Sequence, residues 1–177
     1  MPDQELSQDA LYEEATATYG AAIGRLARSY EADPEKRQDL LQEIHLGLWQ
    51  SFDGFDSRCS LRTWVYRVTH NVAASYVIRL CRRNFPVLLS LEEMDSIPDA
   101  HDAEAAADRH KTLQQLLALI QRSRPFERQI ILLYIEGMDA ASIGEITGLS
   151  PSNVATKIHR IKSILARRFK AGGRNDQ

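Results

Sequence analysis

The sequence predicts an all-α protein of two small helical domains joined by a flexible acidic linker. Three observations carry this. Apolar residues recur at helical spacing almost throughout, and strand-like alternation is hard to find. Charge falls into blocks: residues 1–56 carry a net −8, 57–83 a net +6, 84–110 a net −6 and 111–177 a net +6. The near-neutral total of −2 therefore hides two basic and two acidic segments. Finally, residues 136–160 have the layout of a helix-turn-helix. With 177 residues there is room for two small domains, and the expected division is 1–84, a linker 85–110, and 111–177.

The elements follow in order. Residues 10–30 fit a helix with Leu11, Ala15, Tyr19, Ala22, Ile23 and Leu26 on one side. Asp33-Pro34 starts the next, the aspartate as cap and the proline in the first turn. This helix is expected to reach about Trp49 and to bury Leu40, Leu41, Ile44, Leu48 and Trp49, with Lys36, Asp39, Gln42 and Glu43 on or near its polar side. Residues 51–59 are a loop marked by Gly54. Ser60 can cap a helix carrying Leu61, Trp64, Val65, Val68 and Val72, extended by Val77 and Leu80 to roughly Arg82.

Residues 84–110 break the rhythm. Pro86 and Pro98 interrupt regular structure and acids accumulate, so this is the linker, with a short helical piece near Ala103–His110. From Lys111 the apolar spacing resumes in Leu113, Leu116, Leu117 and Ile120. Pro125 marks another helix start, followed by Phe126, Ile130, Leu133 and Tyr134. The first helix of the helix-turn-helix runs from about Ala140 to Thr147 with Ile143 and Ile146 inward. Gly148 ends it, being the residue that takes a left-handed conformation cheaply. Leu149 plugs the turn, Ser150 caps the second helix and Pro151 occupies its first position. Val154, Ile158, Ile161 and Leu165 form that helix's apolar side. Its other face carries Ser152, Asn153, Thr156, Lys157 and Arg160, short polar and basic groups suited to a major groove, or simply the solvated side of a helical hairpin. The composition of the tail from Ala171 leads one to expect disorder there.

Several function classes are disfavoured. The N-terminus, Met-Pro-Asp-Gln-Glu, lacks the basic flank and apolar core of a signal peptide, and no stretch approaches a membrane span. Cys59 and Cys81 are the only cysteines, without metal-ligand spacing, so no metal site and two free thiols in a reducing cytoplasm are expected. No phosphate-cradling glycine loop or nucleophile motif appears, so neither an enzyme nor a cofactor is expected. The basic blocks instead suit nucleic acid.

With these residues in view, the chain resembles bacterial RNA polymerase sigma factors of the sigma-70 family, in the short two-domain extracytoplasmic-function (ECF) type. The resemblance covers about residues 10–83 and 111–170. Its N-terminal part rests on Asp39-Leu40-Leu41-Gln42-Glu43, Phe55, Thr63-Trp64-Val65-Tyr66-Arg67-Val68 and Asn71 and looks like region 2. Its C-terminal part rests on Arg128, Leu132-Leu133, Glu136-Gly137, Ile143-Gly144-Glu145-Ile146, Gly148-Leu149-Ser150, Val154 and His159-Arg160 and looks like region 4.

The resemblance implies a transcription initiation factor that binds core RNA polymerase, recognises −10 and −35 promoter elements and aids melting. It implies that Asp39, Gln42 and Glu43 dock on the polymerase β′ coiled coil, that the β flap is a further contact, and that an anti-sigma factor is a possible partner. It places Arg62, Arg67, Asn71, Ser75, Arg79, Arg82 and Arg83 at the −10 element, where basic and polar groups hold an unpaired strand. It makes the loop Phe52–Arg58 similar to the family loop that pockets an extruded base. It places Ser152, Asn153, Thr156, Lys157 and Arg160 at the −35 element, with Lys162, Arg167 and Arg168 on the DNA backbone. Trp64 and Tyr66 read as either core or stacking groups. Two departures bear on base preference: Ala141-Ser142 stand where many members are acidic, and Ser152-Asn153-Val154-Ala155 replaces Gly-Thr-Val-Lys. The alternative is a stand-alone helix-turn-helix regulator, which would leave the Asp39–Glu43 and Trp64–Asn71 motifs unexplained.

Overall fold

The computed structural model describes residues 7–84, 88–96 and 109–169, and among these no strand occurs. Contacts divide the chain into two compact units, Met1–Phe85 with Glu145–Gly148, and Pro86–Gly144 with Leu149–Gln177.

The first unit is built on three helices: α1 (Gln8–Tyr30), α2 (Pro34–Ser51) and α3 (Leu61–Asn84), each packed on the other two. Their starts are chemically specified. The Ser7 hydroxyl accepts from the Ala10 N–H at 3.2 Å. Asp33 accepts from the N–H groups of Glu35 and Lys36 at 2.9 and 3.2 Å, with Pro34 at the first position. Ser60 accepts from the Thr63 N–H at 3.1 Å. The core combines Leu11, Ala15, Ile23 and Leu26 of α1, Leu40, Ile44 and Leu48 of α2, and Val65, Ala73 and Val77 of α3. Helices α2 and α3 approach closely at Gly47, where a Cβ would meet Val72 Cγ2 at 2.9 Å.

Trp49, expected in this core, is 39% exposed. Leu40, Ile44 and Leu48 already form the buried stripe at four-residue spacing, and Trp49 lies about 100° round the helix from it. Its indole N–H donates instead to Asp9 Oδ1 at 2.8 Å. Leu41 is half-buried for the same reason. The loop after α2 opens with a short 3-10 turn, Phe52–Gly54.

The second unit contains α4 (Leu91–Ser96), α5 (Arg109–Arg122), α6 (Pro125–Ile135), α7 (Ala140–Thr147, whose last residues group with the first unit) and α8 (Pro151–Phe169). Helix α4 lies in the segment expected to be linker, while residues 97–108, and with them most of the expected helical piece at Ala103–His110, fall outside the described residues. A capping box starts α4: the Ser90 N–H donates to Glu93 Oε2 at 2.7 Å and the Glu93 N–H to Ser90 Oγ at 3.2 Å. The Ser90-x-x-Glu93 spacing was the signal for it in the sequence.

Leu91 and Met94 are buried, and α4 packs along α8. This bears on which residues α8 buries. Val154, Ile161 and Ile164 are fully buried, whereas Ile158 and Leu165, expected on the apolar side, are half-buried. Arg128 is a structural residue: its guanidinium is buried and donates to the carbonyls of Gln121 and of Ser123, the latter at 3.0 Å, fixing the α5–α6 turn.

Candidate nucleic-acid interface

Helix α3 presents a polar stripe. Arg67, Asn71, Ser75, Arg79 and Arg82 recur at three- and four-residue spacing; Arg67 is half-buried and the others are exposed. Ile78, 46% exposed, sits within this stripe as an apolar surface that the charge pattern did not reveal. Arg62 stands apart, since about two and a half turns to Asn71 put it on the opposite side. The Arg83 side chain lies outside the described residues.

One expected DNA residue and one expected polymerase residue meet. The Arg79 guanidinium donates to Glu43 Oε2 at 2.5 Å, across α2 and α3, and lies 5.8 Å from the Tyr76 ring centroid. The Tyr76 hydroxyl donates to Glu31 Oε2 at 2.9 Å. Asp39 and Gln42 are exposed on α2, and Glu43 is half-buried beside Arg79.

The loop after α2 has a fixed base and an open tip. Phe55 makes edge contacts with Phe52 and Trp64, at 6.2 and 5.3 Å between centroids. The Trp64 indole N–H donates to Ser51 Oγ at 2.9 Å, so Trp64 serves as half-buried support for the loop. Tyr66 is buried, with its ring 6.1 Å from Tyr19. The tip residues Asp53, Asp56, Ser57 and Arg58 are exposed, and Ser57 adopts φ 60°. A left-handed serine is a strained conformation that functional loops favour.

On the core-facing side of α3, His70 is buried. The Tyr30 hydroxyl bonds its Nδ1 at 3.1 Å, and its Nε2 is buried without a protein partner. Burial pushes its pKa down to about 3, so the ring is neutral at ordinary pH. His45, bonded through Nδ1 to the Tyr12 hydroxyl at 3.0 Å, is also lowered by burial.

The helix-turn-helix elements are as the turn chemistry dictates. Asp139 accepts from the Ser142 N–H at 2.8 Å to start α7. Gly148 takes φ 77° after it. Ser150 accepts from the Asn153 N–H at 3.3 Å to start α8. Gly144 admits no side chain, because a Cβ would lie 2.8 Å from the Leu149 carbonyl oxygen.

On α8, Ser152, Asn153 and Thr156 are exposed at the N-terminal end. The basic residues are engaged within the unit. Lys157 Nζ donates to Glu127 Oε1 and Oε2 at 3.0 and 3.4 Å, and Glu127 is only 7% exposed. Arg160 pairs with Glu92, and Arg167 with Asp95 at 3.0 Å. Lys162 lies 5.7 Å from the Tyr134 ring centroid, and the Arg168 side chain lies outside the described residues. Glu92, Asp95 and Glu127 are ion-pair partners of the α8 basic residues that the sequence did not reveal. Nothing in a linear pattern reports which carboxylate folds back onto which cation.

Comparison with known families agrees with this layout. A model of Sigma-70 region 2 matches residues 16–83, and one of Sigma-70, region 4 matches residues 113–165. The ECF RNA polymerase sigma factor SigW of Bacillus subtilis is 23% identical over 175 residues, covering 92% of this chain and 90% of SigW. SigX of the same organism is 25% identical over 138 residues, covering 75% of this chain and 70% of SigX. The match to SigG of Mycobacterium tuberculosis, 26% identical, covers 72% of this chain and spans only 40% of that protein's length. Among solved structures, the sigma factor RpoE in complex with the anti-sigma factor NepR from Bartonella quintana has a TM-score of 0.65 at 18% identity, covering 90% of this chain and 96% of that one. CnrH in complex with the cytosolic domain of CnrY has a TM-score of 0.57 at 19% identity, covering 94% and 92%. Both likenesses establish the fold.

Proposed function

The chain belongs to the sigma-70 family, in its extracytoplasmic-function branch, and we propose on that footing that it binds core RNA polymerase and directs it to specific promoters. The observation that carries the proposal is the pair of matched regions in one order, 16–83 then 113–165. The first contains the polar stripe of α3 and the second the helix-turn-helix. A stand-alone regulator would have no use for the first.

In this reading Asp39, Gln42 and Glu43 dock on the β′ coiled coil, and the second unit engages the β flap. The stripe Arg67, Asn71, Ser75, Arg79 and Arg82 holds the −10 strand together with Arg83, while Arg62, on the opposite side of α3, falls outside this contact set. Basic groups balance phosphate charge, Asn71 supplies a base-edge donor and acceptor, and Ile78 offers an apolar surface beside them. The strained loop tip at Ser57 receives an extruded base. Helix α8 enters the major groove of the −35 element, with Ser152, Asn153 and Thr156 leading and Lys157 and Arg160 behind. The protein performs no covalent chemistry, and its place of action is the cytoplasm, where polymerase and promoter are. An anti-sigma partner, of the kind seen with RpoE of Bartonella quintana, would silence it by covering these faces.

The test is capture of purified core polymerase by the chain, then run-off transcription on genomic fragments. Binding with promoter-specific transcripts is the expected result; DNA binding without polymerase binding would refute the proposal. Asp39→Arg is the informative docking variant. Reversal at Glu43 would also unpair Arg79 and mix two effects.

A further inference from the structure

The acidic stretch does not hang free where it is described. Leu89 is stitched to the α5–α6 turn: its N–H donates to the Arg122 carbonyl at 2.8 Å, and its carbonyl accepts from the Arg124 N–H at 2.9 Å. The Arg124 guanidinium also donates to Glu93 Oε2 at 3.1 Å. Leu91 and Met94 are fully buried anchors, and Ser123 Oγ lies 3.5 Å from Met94 Sδ. With these seated, the remaining acids reach α8. Glu92 pairs with Arg160, and Asp95 takes Arg167 twice, through Oδ1 and through its carbonyl oxygen, both at 3.0 Å.

The position of the two arginines gives this meaning. Asn153, Arg160 and Arg167 are seven residues apart, so they lie along one line of α8 with a drift of about 20° per step. The line begins at the exposed Asn153 and continues under α4. Glu92 and Asp95 therefore stand where a nucleic-acid backbone would place phosphates, since carboxylate and phosphate offer a guanidinium the same oxygen pair.

We propose that α4 is an autoinhibitory strap: in the free protein Glu92 and Asp95 hold Arg160 and Arg167, and duplex DNA must displace α4 to reach them. The proposal rests on the reading of α8 as the DNA-contacting helix. Half-exposed ion pairs are individually weak, so the strap is releasable. The apolar anchors Leu91 and Met94 keep it seated until DNA competes. Ser152, Asn153 and Thr156 stay accessible throughout and can make first contact.

The experiment uses the full chain and a fluorescein-labelled duplex of mixed sequence at low salt, read by anisotropy. The variant Glu92→Gln/Asp95→Asn keeps side-chain size and the anchors while removing both charges. The control Glu13→Gln/Glu14→Gln changes net charge equally at exposed positions on α1. Loss of two weak pairs predicts about tenfold tighter binding for the strap variant, with the control near wild type. Hydrogen exchange on the wild-type chain adds a second readout, since saturating duplex should strip protection from residues 91–96. A strap variant no tighter than the control, or α4 amides that keep their protection under saturating duplex, overturns the strap alone. Failure of every form to bind duplex overturns the DNA-contacting role of α8, and the strap with it.

Discussion

Replacing Lys157 separates a structural role from a DNA-reading role. Its ammonium spans both oxygens of Glu127 at 3.0 and 3.4 Å, with side-chain exposures of 25% for Lys157 and 10% for Glu127. Lys157→Ala would leave that carboxylate buried without its cation. Breaking a buried pair costs about 3–5 kcal/mol. Two features reduce this: the lysine is a quarter exposed, and Glu127 sits in the first turn of α6, where the helix N-terminus favours a negative charge. A loss of about 2 kcal/mol is expected. With a urea dependence near 1 kcal/mol per molar for so small a unit, the midpoint should fall by about 2 M.

The assay reads the two units separately. Both tryptophans, Trp49 and Trp64, belong to the first unit, so tryptophan fluorescence follows that unit alone, while far-UV circular dichroism follows both. The expected outcome is a dichroism transition moved to lower urea beside an unmoved fluorescence transition. Lys157→Met with Glu127→Gln should recover at least half of the loss, because the uncompensated charge is gone. A shift of less than about 0.5 kcal/mol for Lys157→Ala, the range of an ordinary surface substitution, would refute the structural role of the pair and leave Lys157 as a DNA contact alone.

Further outcomes follow from the same geometry. His70 is neutral when folded, with its pKa lowered to about 3 by burial, so it binds a proton more readily unfolded; its contribution is complete above about pH 6.5 and is lost as pH falls toward 3. Between about pH 6.5 and 4.5 wild type should lose about 1 kcal/mol per pH unit more than His70→Gln, measured as urea midpoints by fluorescence; equal slopes would contradict this. Gly144→Ala would drive a Cβ to 2.8 Å from the Leu149 carbonyl oxygen, a backbone atom with little room to yield, and should cost about 1–3 kcal/mol in thermal denaturation. Asn153→Ala, at an exposed position, should leave stability within about 0.5 kcal/mol while weakening −35-dependent transcription about tenfold; unchanged transcription would remove Asn153 from the contact set.

Much of the fold was legible in the chain because it is governed locally. Asp33, Ser60 and Ser150 cap helices through bonds to N–H groups two or three residues on, and Pro34, Pro125 and Pro151 pre-set first turns. Gly148 takes its φ of 77° for reasons internal to one turn. Helical spacing also separates exposed from buried residues, so the leading residues of α8 could be named from sequence; the α3 set came from the family resemblance, and its Arg62 proved to lie on the opposite side of the helix. What tertiary structure alone decided was pairing. Glu92, Asp95 and Glu127 count as the same negative charges whether solvated or folded back; only packing of α4 and α6 on α8 brings them within reach of Arg160, Arg167 and Lys157. The same holds for Glu43 against Arg79, for Trp49 at the surface, and for the sealed His70. Caps and periodicity act over one turn of chain, whereas a charge's partner and a ring's solvent access depend on elements tens of residues away.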